Sequence, residues 1–252
     1  MNEVVKLINE IELRNSVIEI IAKSCHSLIL SSFDAKKDWE TLALNSTCKL
    51  SVLPFAVTHP YYNQISIEEL KKEFKIEKEF FIISNQFWIH KNHMLVFKSI
   101  TAFIKKGFEY QFVFTGKEDD YRNPNYYNEI LNYIEQNKLN NTVRLLGLID
   151  RTKQLALMKH ATAIIQPSLF EGWSTVVEDG KAMNQFVFVS DIPVHREQIT
   201  ENCCFFNPYD EMDLLDKLVN FLNQKPAIKQ IDYSTNIKKF GEEFHEILKS
   251  TL

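Results

Sequence analysis

From residue 80 onward the apolar residues alternate between short unbroken runs and longer stretches of helical period. The runs FFIIS (80–84), YQFVFTG (110–116), TVRLLG (142–147), TAIIQPS (162–168), FVFVS (186–190) and CCFF (203–206) predict strands. Runs that are apolar at every position suit strands covered on both faces, as in a parallel sheet between helical layers. The stretches near 91–106, 125–138, 151–160, 175–184, 210–223 and 235–250 predict helices. Repeated βα units of this kind imply an α/β domain with a doubly wound, Rossmann-like parallel sheet, expected over 79–252.

The first 57 residues are organised differently, with a predicted helix (2–23), strand (26–32), helix (34–44) and strand (49–55). So few elements cannot bury a core alone, so this segment must dock on something and should expose apolar surface. The polar, proline-containing stretch AVTHPYYNQ (56–64) reads as the start of a connection over 58–78, and Ser66 with Glu69 forms a capping box opening a short helix there.

Composition narrows the function classes. A hydrophobic content of 45% supports a packed core, and 29 basic against 33 acidic residues, a net charge of -4, supplies no field for nonspecific nucleic-acid binding. The four cysteines, Cys25, Cys48, Cys203 and Cys204, lack CxxC spacing and read as free thiols. MNEVVKLINEIELRN at the start interrupts its apolar positions with acids, unlike a signal peptide, and no stretch reaches the ~20 apolar residues that span a bilayer. These features point to a cytoplasmic protein, with peripheral attachment at the inner face of the membrane left open.

Candidate chemistry collects beyond the carboxyl ends of the strands, where an open parallel sheet binds ligands. SLFEGWSTVVEDGKA (168–182) follows one such strand. Glu171 precedes Gly172, whose missing side chain permits close backbone approach. Thr175 is the expected N-cap, paired in a capping box with Glu178, while Asp179 lies about 100° further round the helix. The amides at Ser174 to Val176 would open this helix and offer a seat for phosphate, whereas the carboxylates suit hydroxyl groups. A phosphorylated sugar or nucleoside meets both demands. In SNQFWIHKNH (84–93), Lys91 stands at the predicted opening of the next helix, where an ammonium can neutralise phosphate. His90 and His93 flank it without further ligands at metal spacing, and Trp88 reads as a packing residue. Gly116 and Gly147 close strands, as either ordinary turns or points of ligand approach. The chain has no Asp-x-Asp, the divalent-metal clamp of many nucleotide-sugar enzymes.

TVRLLGLIDRTKQLALMKHATAIIQPSLFEGWSTVVEDGKAMNQFVFVSDIPVHREQI (142–199) resembles the donor-binding half of GT-B glycosyltransferases, specifically glycosyltransferase family 4. In that family two glutamates stand eight positions apart, the first on the transferred sugar and the second on the nucleotide's ribose. Glu171 matches the first; Asp179 falls on the second, with Glu178 beside it to share the duty. Ser174 and Thr175 fall where backbone amides of the family meet the donor diphosphate. Lys91 matches its phosphate-binding lysine, but Gln86 replaces its arginine and Asn85 its glycine. Residues 1–57 resemble only the last βα units of the family's N-terminal acceptor domain.

The resemblance implies a metal-independent, retaining hexosyltransferase without cofactor, binding a nucleotide sugar and a glycan or lipid-linked acceptor. Its catalytic residue is Glu171, with Lys91, Gln86, Gly172, Trp173, Ser174, Thr175, Glu178 and Asp179 on the donor. With most of the acceptor domain unmatched, a separate acceptor-domain chain or self-association is expected. The alternative is a truncated, inactive nucleotide-sugar-binding protein.

Overall fold

The computed structural model describes residues 3–251, with side chains from residue 11 onward. The start of the first expected helix, at residue 2, lies outside the described residues. The chain opens with α1 (Glu3–Ser24), β1 (Ser27–Leu30), α2 (Phe33–Leu42) and β2 (Lys49–Val52). β1 and β2 pair in parallel from Ser27↔Lys49 to Leu30↔Val52. Ser32 starts α2, its Oγ accepting from the Ala35 amide at 2.9 Å, and Trp39 is the buried residue of this helix.

α3 (Ile67–Glu73) follows, with Ser66 as its N-cap as expected, the Oγ accepting from the Glu69 amide. The main domain then alternates strand and helix: β3 (Phe80–Ser84), α4 (His93–Lys105), β4 (Gln111–Thr115), α5 (Tyr126–Gln136), β5 (Val143–Leu145) and α6 (Arg151–His160). It continues with β6 (Ala163–Gln166), α7 (Thr175–Ala182), β7 (Val187–Ser190), α8 (Pro193–Gln198), β8 (Cys203–Phe206) and α9 (Glu211–Gln224). The helix α10 (Ser234–Lys249) closes the sequence of elements. All six expected strands form. α8 escaped prediction because its six residues, opened by Pro193, are too short to display a period.

β3 to β8 make one parallel sheet in the order β5-β4-β3-β6-β7-β8. Side chains alternate across it, as strand geometry requires. Phe81, Ile83, Phe112, Phe114 and Phe188 enter one apolar layer, whereas Phe80, Ile82, Val113, Ile164 and Val187 enter the other. Both faces being covered explains why the strands read as unbroken apolar runs. Gly180 brings α7 close to the sheet: a Cβ there would lie 2.7 Å from Val187 Cγ2.

Two compact units divide the chain, one running Val57–Ser234 and the other comprising the remaining described residues up to Ala56 and from Thr235. The first extends N-terminal to the expected 79–252 boundary because Leu70 and Ile76 are buried in its second apolar layer. The last helix belongs to the other unit, where the Lys49 ammonium donates to the Ser250 carbonyl and hydroxyl at 3.2 and 3.0 Å.

Candidate active site

The strand order places β3 beside β6, and the chain departs from β3 toward one edge and from β6 toward the other. This is the topological switch point, where the loops diverge and leave a crevice beyond the strand ends. A cavity of about 370 Å³ lies there, lined by the segments following β3, β4, β5 and β6.

Lys91 and Glu171 meet in it. Lys91 does not open α4 as expected; it ends a separate 3-10 turn, Ile89–Lys91, and Asn92 at φ 56° breaks the chain before α4 begins. The Asn92 amide group donates to the carbonyls of Pro167 (3.2 Å) and Pro208 (2.8 Å), and Leu169 N donates to His90 O at 2.8 Å. These bonds hold the turn against the loop carrying Glu171. Lys91 Nζ donates to Glu171 Oε1 at 2.5 Å, with the side chains only 13% and 10% exposed. Gln166 Nε2 donates to the same oxygen at 2.8 Å, and Gln166 Oε1 accepts from Asn85 Nδ2 at 2.7 Å. Gln166 escaped sequence reasoning; its one signal is a glutamine in an otherwise apolar strand. Burial, then the Lys91 charge, lowers the pKa of His90, and burial lowers that of His195, whose Nδ1 lies 2.9 Å from Ser190 O.

The start of α7 departs from expectation in two ways. Its N-cap is Ser174, not Thr175: Ser174 Oγ accepts from Val177 N at 3.3 Å, and Thr175 is an exposed first helical residue. The reason lies in α8, where Gln198 Oε1 accepts from Ser174 N (3.1 Å) and Gln198 Nε2 donates to Ser174 O (2.7 Å), holding Ser174 outside the helix. The Ser174 amide is thereby engaged, while Thr175 and Val176, which border the cavity, open the helix with amides that have no intrahelical acceptors. Glu178 does not reach back to cap. It is buried, accepting from Lys181 Nζ (2.8 Å), Gln198 Nε2 (3.0 Å) and the Tyr233 hydroxyl, whose pKa is raised by burial and by that carboxylate.

Asp179 is fully buried. Both its oxygens accept from Arg151 Nη2, at 2.6 and 2.7 Å, and its Oδ1 lies 2.9 Å from His59 Nε2. A buried carboxylate is tolerated only with such partners. Neither Glu178 nor Asp179 borders the cavity, whereas Gln86, Lys91, Arg151, Glu171, Trp173 and Thr175 do. Gln86 Oε1 accepts from the Lys117 amide at 2.8 Å, so its carbonyl end is tied to the loop after β4. Trp88 is half-buried at the cavity edge, with the Arg122 guanidinium 4.9 Å from its ring. Gly116, at φ 148°, is packed against the chain's own backbone, where a Cβ would stand 2.1 Å from Asn85 O.

The cavity thus gathers two cations, one carboxylate, unpaired helix amides and an aromatic wall. It suits an anion carrying hydroxyl groups. Among the described residues, no helix is long and apolar enough to cross a membrane.

The chain is similar to several glycosyltransferases. The O-antigen chain mannosyltransferase RfbU of Salmonella typhimurium is 25% identical over 220 residues, 86% of this chain but 56% of that protein. A glycosyltransferase from Rickettsia africae superposes with a TM-score of 0.70 at 17% identity, covering 93% of this chain and 62% of that one. Anabaena Alr3699/HepE, solved in complex with UDP, gives 0.69 at 14% identity, covering 91% and 66%. The chain therefore spans somewhat over half the length of the relatives it matches, and it shares the Rossmann-like fold of GT-B glycosyltransferases. The family described as "Glycosyl transferases group 1" matches residues 66–240, the sheet domain with its cavity included, and the chain belongs to that family.

Proposed function

We propose that this chain is the donor-binding half of a family 4 GT-B enzyme, which transfers a hexose from a nucleotide sugar to a glycan or lipid-linked acceptor. Transfer proceeds with retention and without a metal. One observation carries the reading: Lys91, Glu171 and the open amides of α7 line a single cavity at the switch point of the sheet. The UDP in the Anabaena neighbour and the mannosyl transfer named for the Salmonella relative agree with it.

The donor diphosphate takes the amides of Thr175 and Val176 and the Lys91 ammonium, drawing Lys91 from Glu171. The freed carboxylate then serves the transferred sugar, held in direction by Gln166. As the glycosidic bond breaks, charge grows on the leaving diphosphate, and fixed amides and an ammonium stabilise it without reorganising. Removing one such group costs about 10²–10³ in rate. The acceptor is bound by a separate acceptor-domain chain or through self-association.

Calorimetric titration with UDP, GDP and ADP, followed by donor-hydrolysis and transfer assays, tests the reading. Binding of one nucleotide, weakened in Lys91→Ala, with turnover lost in Glu171→Gln, is the expected result. Binding without turnover under any pairing would make the chain a nucleotide-sugar-binding protein, and binding of none would refute both.

A further inference from the structure

Asp179 stands where a ribose-holding carboxylate is expected, yet it is enclosed, and both oxygens are already engaged by one nitrogen of Arg151. Arg151 itself borders the cavity, with its side chain 40% exposed. We infer that the nucleoside of the donor is met by the Arg151 guanidinium and that Asp179 acts behind it as a positioning residue. This inference rests on the donor reading above.

The geometry argues for it as follows. Arg151 is the first residue of α6, whose N-cap Asp150 accepts from Thr152 N at 2.8 Å, so its backbone is fixed. Of the five donor hydrogens of a guanidinium, two on Nη2 go to Asp179, and one on Nη1 goes to Gln154 Oε1 at 2.7 Å. Gln154 in turn donates from Nε2 to Thr115 Oγ1 at 3.0 Å, and both residues border the cavity. The group is therefore held from two sides while Nε and one Nη1 hydrogen keep no partner among the described residues. Such a group recognises acceptor atoms, the ribose hydroxyl oxygens and base carbonyls of a nucleotide. It cannot accept from a hydroxyl, as a carboxylate does. The same arrangement returns a fixed guanidinium to a cavity in which Gln86 occupies the family's arginine position.

Affinities for a nucleoside diphosphate and for inorganic pyrophosphate, measured by calorimetry, separate this from a phosphate role. Arg151→Ala should weaken the nucleoside diphosphate at least 10-fold and leave pyrophosphate within about 2-fold, whereas Lys91→Ala should weaken both. Arg151→Lys, which keeps a cation beside Asp179, should retain the fold, checked by its unfolding midpoint, and still lose nucleoside affinity. In a double-mutant cycle, Asp179→Asn should add no loss in the Arg151→Ala background. Equal weakening of pyrophosphate, an unchanged nucleoside affinity in both Arg151 variants, or an independent loss from Asp179→Asn would overturn the inference. A wild-type chain that binds no nucleotide would instead refute the donor reading itself.

Discussion

Gly116 closes β4 with its backbone pressed on the turn after β3, 2.1 Å separating an added Cβ from Asn85 O and 2.9 Å from Gln86 N. Neither contact is with a side chain that could move aside. Gly116→Ala should therefore cost about 3 kcal/mol or more, read as a lowered urea midpoint; an unchanged midpoint would mean that the loop after β3 yields freely. His93 offers a pH signature. Stacked on Phe87 at 4.4 Å and fully buried, it has its pKa pushed down by burial to about 3 from the usual 6.5. Because the folded value is the lower, its contribution is present above pH 6.5 and is lost as pH falls from there toward 3. At pH 5 the loss is about 2 kcal/mol, from 1.36 kcal/mol per unit. His93→Phe should flatten the fall in thermal midpoint between pH 7 and pH 5, and an unaltered slope would refute the assignment. Residues of this kind were legible only in part. Gly116 was readable as a plain turn or a point of ligand approach, and the sequence held no sign of its contact with the backbone of Asn85.

At the scale of elements, α7 joins the sheet to the site. Its cap, Ser174, is held by Gln198 from α8 on both its amide and its carbonyl. Ser174→Ala removes the bond to Val177 N and should cost about 1 kcal/mol, a drop of ~2–4 °C in thermal midpoint. An unshifted midpoint would show that Gln198 alone holds the turn. The adjacent pair Ser174 and Thr175 left two caps open to a local reading, and the spacing to Glu178 favoured the wrong one. Lys91 teaches the same lesson. Its neighbourhood reads as a helix start, but Asn92 in the left-handed region ends a short turn first, and asparagine is among the residues that adopt it readily.

Across the whole molecule, the unit outside the sheet domain keeps much apolar surface in water. Leu13, Ile20, Phe33, Leu42 and Leu44 are 66, 63, 66, 61 and 83% exposed. Large exposed apolar area of this kind favours association. The chain should associate with rising concentration by light scattering, and polar substitutions at Leu13, Ile20 and Leu44 should suppress it. A monomer throughout the range would mean that this surface is stable alone.

What the sequence determined alone was set by local pattern. Unbroken apolar runs specify strands covered on both faces, Ser66 specifies a cap, and the Glu-Gly-Trp loop and Lys91 are the sequence features that meet at the cavity. What only tertiary structure decided were the partners of the acids. Glu178 is bound by Tyr233, 55 residues away, and Asp179 by Arg151 and His59, at separations of 28 and 120. Periodicity and capping rules act within a few residues, so they reach Glu178's cation, Lys181 three residues on, but not Asp179's. That choice follows from the strand order, which sets the start of α6 against α7 and so brings Arg151 to Asp179.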